Sequence, residues 1–205
     1  MKITRIEIQK NDNTRFNLYS EDKFIMGISY ENLIPYGFSE FEISDEELLK
    51  LYEKENEDSA LRSALRYSSR AMKSEKEVRD YLYKKNISEE IEDKIIEKLK
   101  DLNLLDDERY LSLYLEDKFL YGDDGSAKIK SKLIQKGLDS QKINLEMENF
   151  EEQERKNLKN LISKKINSYL EKKDGRNKMI RFLMNKGYSY SLIKEELDFD
   201  IFDEK

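Results

Sequence analysis

A short phrase occurs three times in this sequence, at intervals of about fifty residues. The copies read "LYKKNISEEI" from Leu82, "LIQKGLDSQKI" from Leu133 and "LMNKGYSYSLI" from Leu183. In each copy a Leu is followed by a Lys, then by Asn or Gly, then by an apolar residue, and then by Ser or Asp. A fixed recurrence of this kind is typical of helical repeat proteins and excludes most other folds.

The residue types in the phrase predict the end of one helix and the start of the next. Asn86, Gly137 and Gly187 stand where the chain needs the left-handed conformation just past a helix. The preceding Lys complements the negative end of the helix dipole, and the following Ser or Asp is a good N-cap. Three such phrases predict three tandem units of three helices each.

The first forty residues differ, because their apolar residues alternate with polar ones. This period of two predicts a three-stranded antiparallel meander, and the alternating residues are Ile6, Ile8, Phe16, Leu18, Phe24, Met26, Ile28 and Tyr30. Ser44 and Glu47 then form a capping-box pattern that predicts a short helix, with Leu48, Leu49 and Tyr52 on its apolar face. The charged stretch "EKENED" after it is interpreted as a linker.

The predicted fold is therefore mainly α, with a small antiparallel β-rich N-terminal region before the elongated helical array. The predicted limits are 1–56 for the strand-rich region with its short helix, and 57–105, 106–150 and 151–205 for the three helical repeats.

Composition excludes several kinds of site. The chain has no Cys and no His, which removes disulfides, thiolate nucleophiles and the commonest general base and metal ligand. No apolar run approaches the roughly 18 residues of a membrane span. Asp106, Asp107 and Glu108 are interpreted as helix caps rather than as metal ligands. We expect a soluble, cytoplasmic protein that is not an enzyme and needs no cofactor.

Positive charge is concentrated near the C-terminus. The net charge of the whole chain is −6, but residues 155–186 contain eleven basic residues against two acidic ones, Glu171 and Asp174. A field of this sign attracts polyanions. The candidate contacts for the partner or for DNA here are Lys164, Lys165, Lys172, Lys173, Arg176, Lys178 and Arg181. Ile166, Tyr169, Leu170, Ile180 and Phe182 between them are interpreted as core and not as platforms for base stacking.

A second candidate is the basic series Arg62, Arg66, Arg70 and Lys73. These residues are spaced three or four apart, so a continuous helix would carry them as one stripe. Two interpretations stay open. The stripe is either a solvated face with acidic partners or a surface for DNA phosphates or for acidic groups on a partner protein.

Three stretches of the sequence resemble the RecX family, the bacterial regulators of the RecA recombinase. "SRAMKSEKEVRDYLYKKNI" is similar to the family's Arg-Pro-Arg-Ser-x-x-Glu-Leu signature with its Lys-Gly-Ile ending, and "LNLLDDERYLSLYLEDK" and "GSAKIKSKLIQKGL" are similar to later segments. The resemblance covers about residues 57–197, and the strand-rich start resembles the extra region of longer members. Ala71 and Met72 replace the signature's Pro and Arg, and Asn86 replaces its Gly.

The resemblance implies a curved array that binds the helical groove of the RecA filament on single-stranded DNA. It further implies inhibition of ATP hydrolysis and strand exchange, with no reaction catalysed by the regulator itself. The expected partners are RecA and its filament, with direct DNA contact as an option, and the expected state is a monomer. The alternatives are an autonomous helical DNA-binding protein, which the net charge of −6 disfavours, and a helical scaffold for another protein.

Overall fold

The N-terminal part of the chain forms two small antiparallel sheets. The structure is a computed structural model that describes residues 1–198 and 200–202. Strands β2, β3 and β4 form the predicted three-stranded meander, while β1 pairs with β5 in a separate two-stranded sheet that the alternation did not predict. The strands are β1 (Lys2–Ile3), β2 (Arg5–Gln9), β3 (Asp12–Ser20), β4 (Lys23–Ser29) and β5 (Phe41–Glu42).

The predicted buried face of the meander is only partly right. Its buried members are Phe16, Leu18, Met26 and Ile28, whereas Phe24 is 54% exposed. The pairing of β3 with β4 shifts by one residue after Leu18. Because side chains alternate between the two faces of a strand, this shift places Phe24 on the solvent side. Ile8, at a similar irregularity in β2, is also exposed, and Tyr30 belongs to the short helix α1 (Tyr30–Leu33).

The prediction of a short helix followed by a linker is wrong. Helix α2 (Asp45–Ser68) runs without a break through "EKENED" and begins at the predicted capping box of Ser44 and Glu47. Glu and Lys favour helix, and this stretch contains no Gly or Pro to end it. Of the predicted apolar face, only Leu48 packs on the β-sheet core, and Leu51 is buried there in place of the exposed Leu49 and Tyr52. The predicted limit at residue 56 lies inside α2.

Three helical units follow one another along the chain, as predicted. The second half of α2 packs with α3 and α4 in the first unit, and the second and third units each have a separate buried cluster. The short α9 (Asn167–Leu170) is an addition to the predicted plan. The remaining helices are α3 (Glu75–Tyr83), α4 (Glu89–Asp101), α5 (Asp107–Tyr121), α6 (Ser126–Gln135), α7 (Ser140–Met147), α8 (Glu151–Lys165), α10 (Gly175–Asn185) and α11 (Tyr190–Glu196).

The repeated phrase forms the predicted helix end in all three units. Asn86, Gly137 and Gly187 have φ angles of 57°, 88° and 98°. After each of them, the N–H of the apolar residue donates a hydrogen bond back to the carbonyl of the phrase's Leu, at 3.2 to 3.3 Å. Asp139 and Ser189 then cap α7 and α11 with their side chains, while Ser88 starts α4 without a side-chain cap bond.

The same phrase also joins consecutive units. The start of α3 contacts the end of α6, and we call this contact the first joint. The Ser74 hydroxyl there donates to the Lys136 carbonyl at 2.7 Å. At the second joint the start of α6 contacts the end of α10, and the Gly125 N–H donates to the Lys186 carbonyl at 2.8 Å. The first and second units thus each dock the start of their middle helix on the phrase of the next unit.

Candidate functional site

The predicted basic stripe of the first unit does not lie on one helix. Helix α2 ends at Ser68, and Ser74 has the extended backbone of an N-cap. Arg70 and Lys73 therefore lie in the turn between α2 and α3, and the prediction that a continuous helix carries all four cations is wrong. The capping box of Ser74 and Glu77 starts a new helix at this point, whatever the spacing of the basic residues.

Arg62 is paired with a buried carboxylate. Its Nη2 lies 2.9 Å from Oε1 of Glu55, and Arg15 lies 2.8 Å from the same oxygen. Glu55 is almost fully buried and also accepts hydrogen bonds from Ser29 and Asn32. Burial acts to raise the pKa of Glu55, but these hydrogen bonds and the charge of Arg15 outweigh it, and its pKa is lowered. Arg62 therefore helps to fix the β region on α2.

Arg66 and Arg70 meet in a concavity between the ends of α2 and α3. We call it the cationic pocket; its volume is about 270 Å³, and its lining residues are Ser63, Arg66, Tyr67, Arg70, Tyr81 and Lys85. The rings of Tyr67 and Tyr81 stack in parallel with centroids 4.3 Å apart. Lys73 Nζ lies 4.9 Å from the centroid of Tyr67, and Lys85 Nζ lies 5.2 Å from that of Tyr81.

Sequence reasoning missed Tyr67, Tyr81 and Lys85 as part of this site. Tyr67 lies on α2, Tyr81 on α3, and Lys85 in the phrase that ends α3. They meet only because α2 and α3 pack together, and neither spacing nor composition in one sequence contains that information. The basic residues alone were the available signal.

The second candidate surface covers the end of α8, the turn after α9 and the exposed side of α10. Lys164 and Lys165 lie in the last turn of α8, where the helix dipole favours cations. Lys172 and Lys173 follow α9, and Lys172 Nζ is 4.2 Å from the Tyr169 ring centroid. The remaining predicted contacts, on α10, are Arg176, Lys178 and Arg181.

Charge pairing divides this basic block into two parts. Near its start Arg155 pairs with Glu195 and Glu196, and Lys159 also pairs with Glu196, at 3.1 Å. Arg181 lies 3.4 Å from Asp174. Within residues 1–198 and 200–202, no salt bridge is formed by Lys164, Lys165, Lys172, Lys173 or Lys178. These five exposed lysines are the part of the block that is open to a polyanion.

Of the acidic triplet, Asp106 has the predicted capping function, whereas Asp107 contacts the start of α3 and Glu108 pairs with Lys142. Asp106 accepts from the Arg109 N–H and caps α5, and Asp107 accepts from the Glu75 N–H at 2.8 Å. Burial raises the pKa of Asp107. In the described part of the chain no cluster of three or more acidic residues is arranged to hold a metal ion. Nor does that part contain a helix long and apolar enough to cross a membrane.

Family models match three separate parts of the chain. Residues 1–41 match the "Regulatory protein RecX N-terminal domain", residues 60–99 the "RecX, first three-helix domain" and residues 151–197 the "RecX, third three-helix domain". The chain belongs to the RecX family. Among its relatives, a "Regulatory protein RecX" of Clostridium botulinum (strain Alaska E43 / Type E3) is 34% identical over 98% of this chain and 99% of that protein.

Further RecX proteins agree with this assignment. The protein of that name from Clostridium perfringens (strain 13 / Type A) is 34% identical over 92% of this chain and 91% of its own length. A "Crystal structure of regulatory protein RecX" is similar with a TM-score of 0.68 and 25% identity, covering 94% of this chain and 97% of the other. RecX from Lactobacillus salivarius gives a TM-score of 0.62 and 28% identity, covering 72% and 95%. This chain is therefore a member of a family of regulatory proteins.

Proposed function

We propose that this protein regulates the RecA recombinase, mainly as an inhibitor. It binds the helical groove of the RecA filament on single-stranded DNA and reduces ATP hydrolysis and strand exchange, without catalysing a reaction itself. The observation that carries the proposal is the serial docking of the three units. Because the first and second units each bind the next one through the same phrase, the units follow one another in chain order, an arrangement suited to a helical groove.

A tandem array is suited to a filament because separate units can contact separate subunits. Binding of that kind opposes the subunit movements that accompany ATP turnover, since each movement would have to break contacts at more than one unit. The five unpaired lysines of the third unit supply a positively charged surface that the filament's DNA or its acidic groups can meet.

Those lysines also favour a second candidate, an autonomous helical DNA-binding protein. The two candidates differ in what they require. An autonomous binder holds bare duplex DNA at moderate salt, whereas a filament regulator needs RecA. The net charge of −6 works against strong binding to bare DNA.

The test of the proposal is the single-stranded-DNA-dependent ATPase rate of RecA at substoichiometric amounts of this protein. We expect the rate to fall, and we expect Lys172→Glu/Lys173→Glu to weaken that inhibition several-fold, because it reverses two unpaired charges. Lys10→Glu/Lys23→Glu reverses two exposed lysines of the β region and is the matched control. An unchanged ATPase rate, filament length and strand exchange at stoichiometric excess would sink the proposal.

A further inference from the structure

The cationic pocket gathers several positive charges, of which that of Arg66 interacts at longer range with the charge of Asp12. Elsewhere in the first unit arginines have carboxylate partners: Arg62 pairs with Glu55, and Arg79 pairs with Glu75, Glu92 and Asp93. Among the described residues, by contrast, no carboxylate lies within salt-bridge distance of Arg66, Arg70 or Lys85. These three cations line one concavity, and Lys73 lies on the same tyrosine pair. Such a cluster repels itself and attracts an anion.

The helix ends explain part of this arrangement. Helices α2 and α3 both end at the pocket, at Ser68 and Tyr83, so their terminal carbonyl groups attract nearby cations. This effect contributes roughly 0.3–1 kcal/mol at an exposed site and falls off within one turn. It gives a reason for a basic residue at each helix end. The helix dipole does not explain why these basic residues converge with two tyrosines and a serine around one cavity.

The pocket's donors suit a phosphate group. Two guanidinium groups offer planar pairs of N–H donors that match phosphate oxygens, and Lys85 adds an ammonium group. The hydroxyls of Ser63 and Tyr81 lie at the same site and bond each other at 3.3 Å. The Tyr67 ring stacks on Tyr81, which holds that hydroxyl in place. The hydrogen-bond donors around this small cavity are more numerous than a carboxylate ligand could use. Their number fits the oxygens of a phosphate.

We propose that the cationic pocket binds one phosphate group of a nucleotide unit, supplied either by the backbone of single-stranded nucleic acid or by a free nucleotide. Arg66 and Arg70 bind the phosphate oxygens, Lys85 adds charge, and Ser63 and Tyr81 orient the group. The inference deepens the proposed function and rests on it for the choice of single-stranded DNA as the first source to test.

The first experiment measures binding of a fluorescent single-stranded oligothymidylate to the full chain, by anisotropy at several salt concentrations and without RecA. We expect Arg66→Gln/Arg70→Gln to weaken binding at least tenfold. The slope of log K against log salt should become shallower by about 0.7 for each phosphate contact that is lost. The matched control is Lys54→Gln/Lys98→Gln, which removes two exposed cations of α2 and α4 outside the pocket. Equal losses in the two variants would mean general charge attraction and would overturn the proposal.

The second experiment identifies the source of the phosphate. Thermal shifts are measured with inorganic phosphate, with thymidine monophosphate and with an oligoglutamate peptide, at matched ionic strength. If inorganic phosphate or the nucleotide raises the melting temperature of the parent protein but not that of Arg66→Gln/Arg70→Gln, the phosphate site is supported. If, in addition, the oligonucleotide does not bind, the source of the phosphate is a free nucleotide. Stabilisation by the peptide alone overturns it in favour of a protein partner.

A further variant separates binding from folding. Tyr81→Phe keeps the stacked ring and removes one hydroxyl of the pocket, so circular dichroism should be unchanged while oligonucleotide binding falls several-fold. If Tyr81→Phe and Arg66→Gln/Arg70→Gln both bind as the parent protein does, no phosphate site exists here. Because these assays contain no RecA, that result leaves the ATPase test of the proposed function intact, and a failed ATPase test leaves the binding result intact.

Discussion

The two joints between helical units use the same phrase but different chemistry. At the first joint most of the bonds involve side chains. The Ser74 hydroxyl donates to the Lys136 carbonyl, Lys136 Nζ pairs with Glu77 at 2.6 Å, and Asp107 accepts the Glu75 N–H.

At the second joint the backbone provides much of the contact. The Gly125 N–H donates to the Lys186 carbonyl, and the Ala127 N–H donates to the Gly187 carbonyl at 3.1 Å. Side chains add to this contact, since Glu154 accepts the Ser126 N–H at 2.7 Å. The backbones approach so closely that a Cβ at position 125 would lie 2.5 Å from the Gly187 carbonyl carbon.

This difference shows that the glycine of the phrase meets two separate demands. One is the left-handed conformation after a helix, which Asn86 also adopts, with φ 57°. The other is the absence of a Cβ where the neighbouring unit docks. Asn86 belongs to the first unit, which has no helical unit before it, and its side chain is exposed. Asn therefore suffices in the first copy, whereas the docked copies have Gly.

The largest predicted effect is that of Gly187→Ala at the second joint. The new Cβ would lie 2.6 Å from both Cβ and the backbone N of Lys128 and 2.9 Å from the Gly125 carbonyl oxygen, at a φ of 98°. Backbone strain and overpacking together should lower the free energy of unfolding by about 3 kcal/mol. Urea denaturation followed by circular dichroism measures the loss.

Two substitutions in the other copies of the phrase are the controls. At position 137 the three atoms nearest to a new Cβ all belong to the Lys76 side chain, the nearest at 2.6 Å, whereas two of those at position 187 are backbone atoms. Gly137→Ala should therefore cost less than Gly187→Ala. Asn86→Ala adds no docking clash and should cost about 1 kcal/mol through the left-handed backbone alone. If the three substitutions lowered the free energy of unfolding equally, docking of the next unit would not be a separate reason for glycine at this position.

A smaller effect is expected from Ser74→Ala at the first joint. The Ser74 hydroxyl accepts from the Glu77 N–H and donates to Lys136, and Ser74 is fully buried. Its loss should cost about 2 kcal/mol, the sum of a cap and a bond between units. Ser44→Ala removes the same capping box from the exposed start of α2, with no bond between units, and should cost about 1 kcal/mol. Equal midpoint shifts in urea for the two variants would show that the bond to Lys136 adds nothing.

Much of this architecture follows from local sequence signals. The phrase predicts the left-handed residues, the helix ends and the order of the helical units, because the physics of helix ends acts within a few residues. The capping box predicted at Ser44 is likewise present, and Ser74 forms a second one. Docking of Gly187 on α6 joins residues far apart in the chain, and no local pattern contains that contact.

The errors have the same origin. "EKENED" has the charge of a linker, but burial of Glu55 between Arg15, Asn32 and Arg62 keeps this segment helical and packed on the β region. The predicted basic stripe required one continuous helix, but α2 ends at Ser68. Of its four cations, packing places Arg62 in an internal network and Arg66 and Arg70 in a pocket with two tyrosines. Spacing along one sequence cannot separate these outcomes.

The smallest predicted effect concerns the pH dependence of the first joint. Burial acts to raise the pKa of Glu77, but the hydrogen bonds from Lys136 and from the Ser74 N–H outweigh it, and its pKa is lowered. A carboxylate with a lowered pKa stabilises the fold above its unfolded pKa of about 4.3, and this contribution is lost as the pH falls. Glu77→Gln should therefore cost up to about 1 kcal/mol at neutral pH and almost nothing in acid.

The pKa of Asp107, which also contacts the start of α3, is shifted in the opposite direction to that of Glu77. The stability of the Glu77→Gln variant must therefore be compared with that of the parent protein at each pH. Burial raises the pKa of Asp107, which means that its ionisation opposes folding as the pH rises. Because Glu77→Gln leaves Asp107 in place, the difference between the two urea midpoints isolates Glu77. In a Lys136→Met background the same substitution should show a weaker pH dependence, since the Lys136 charge is gone while the hydrogen bond from the Ser74 N–H remains. A cost that stays constant from neutral pH to acid would assign the effect of Glu77 to packing and not to its charge.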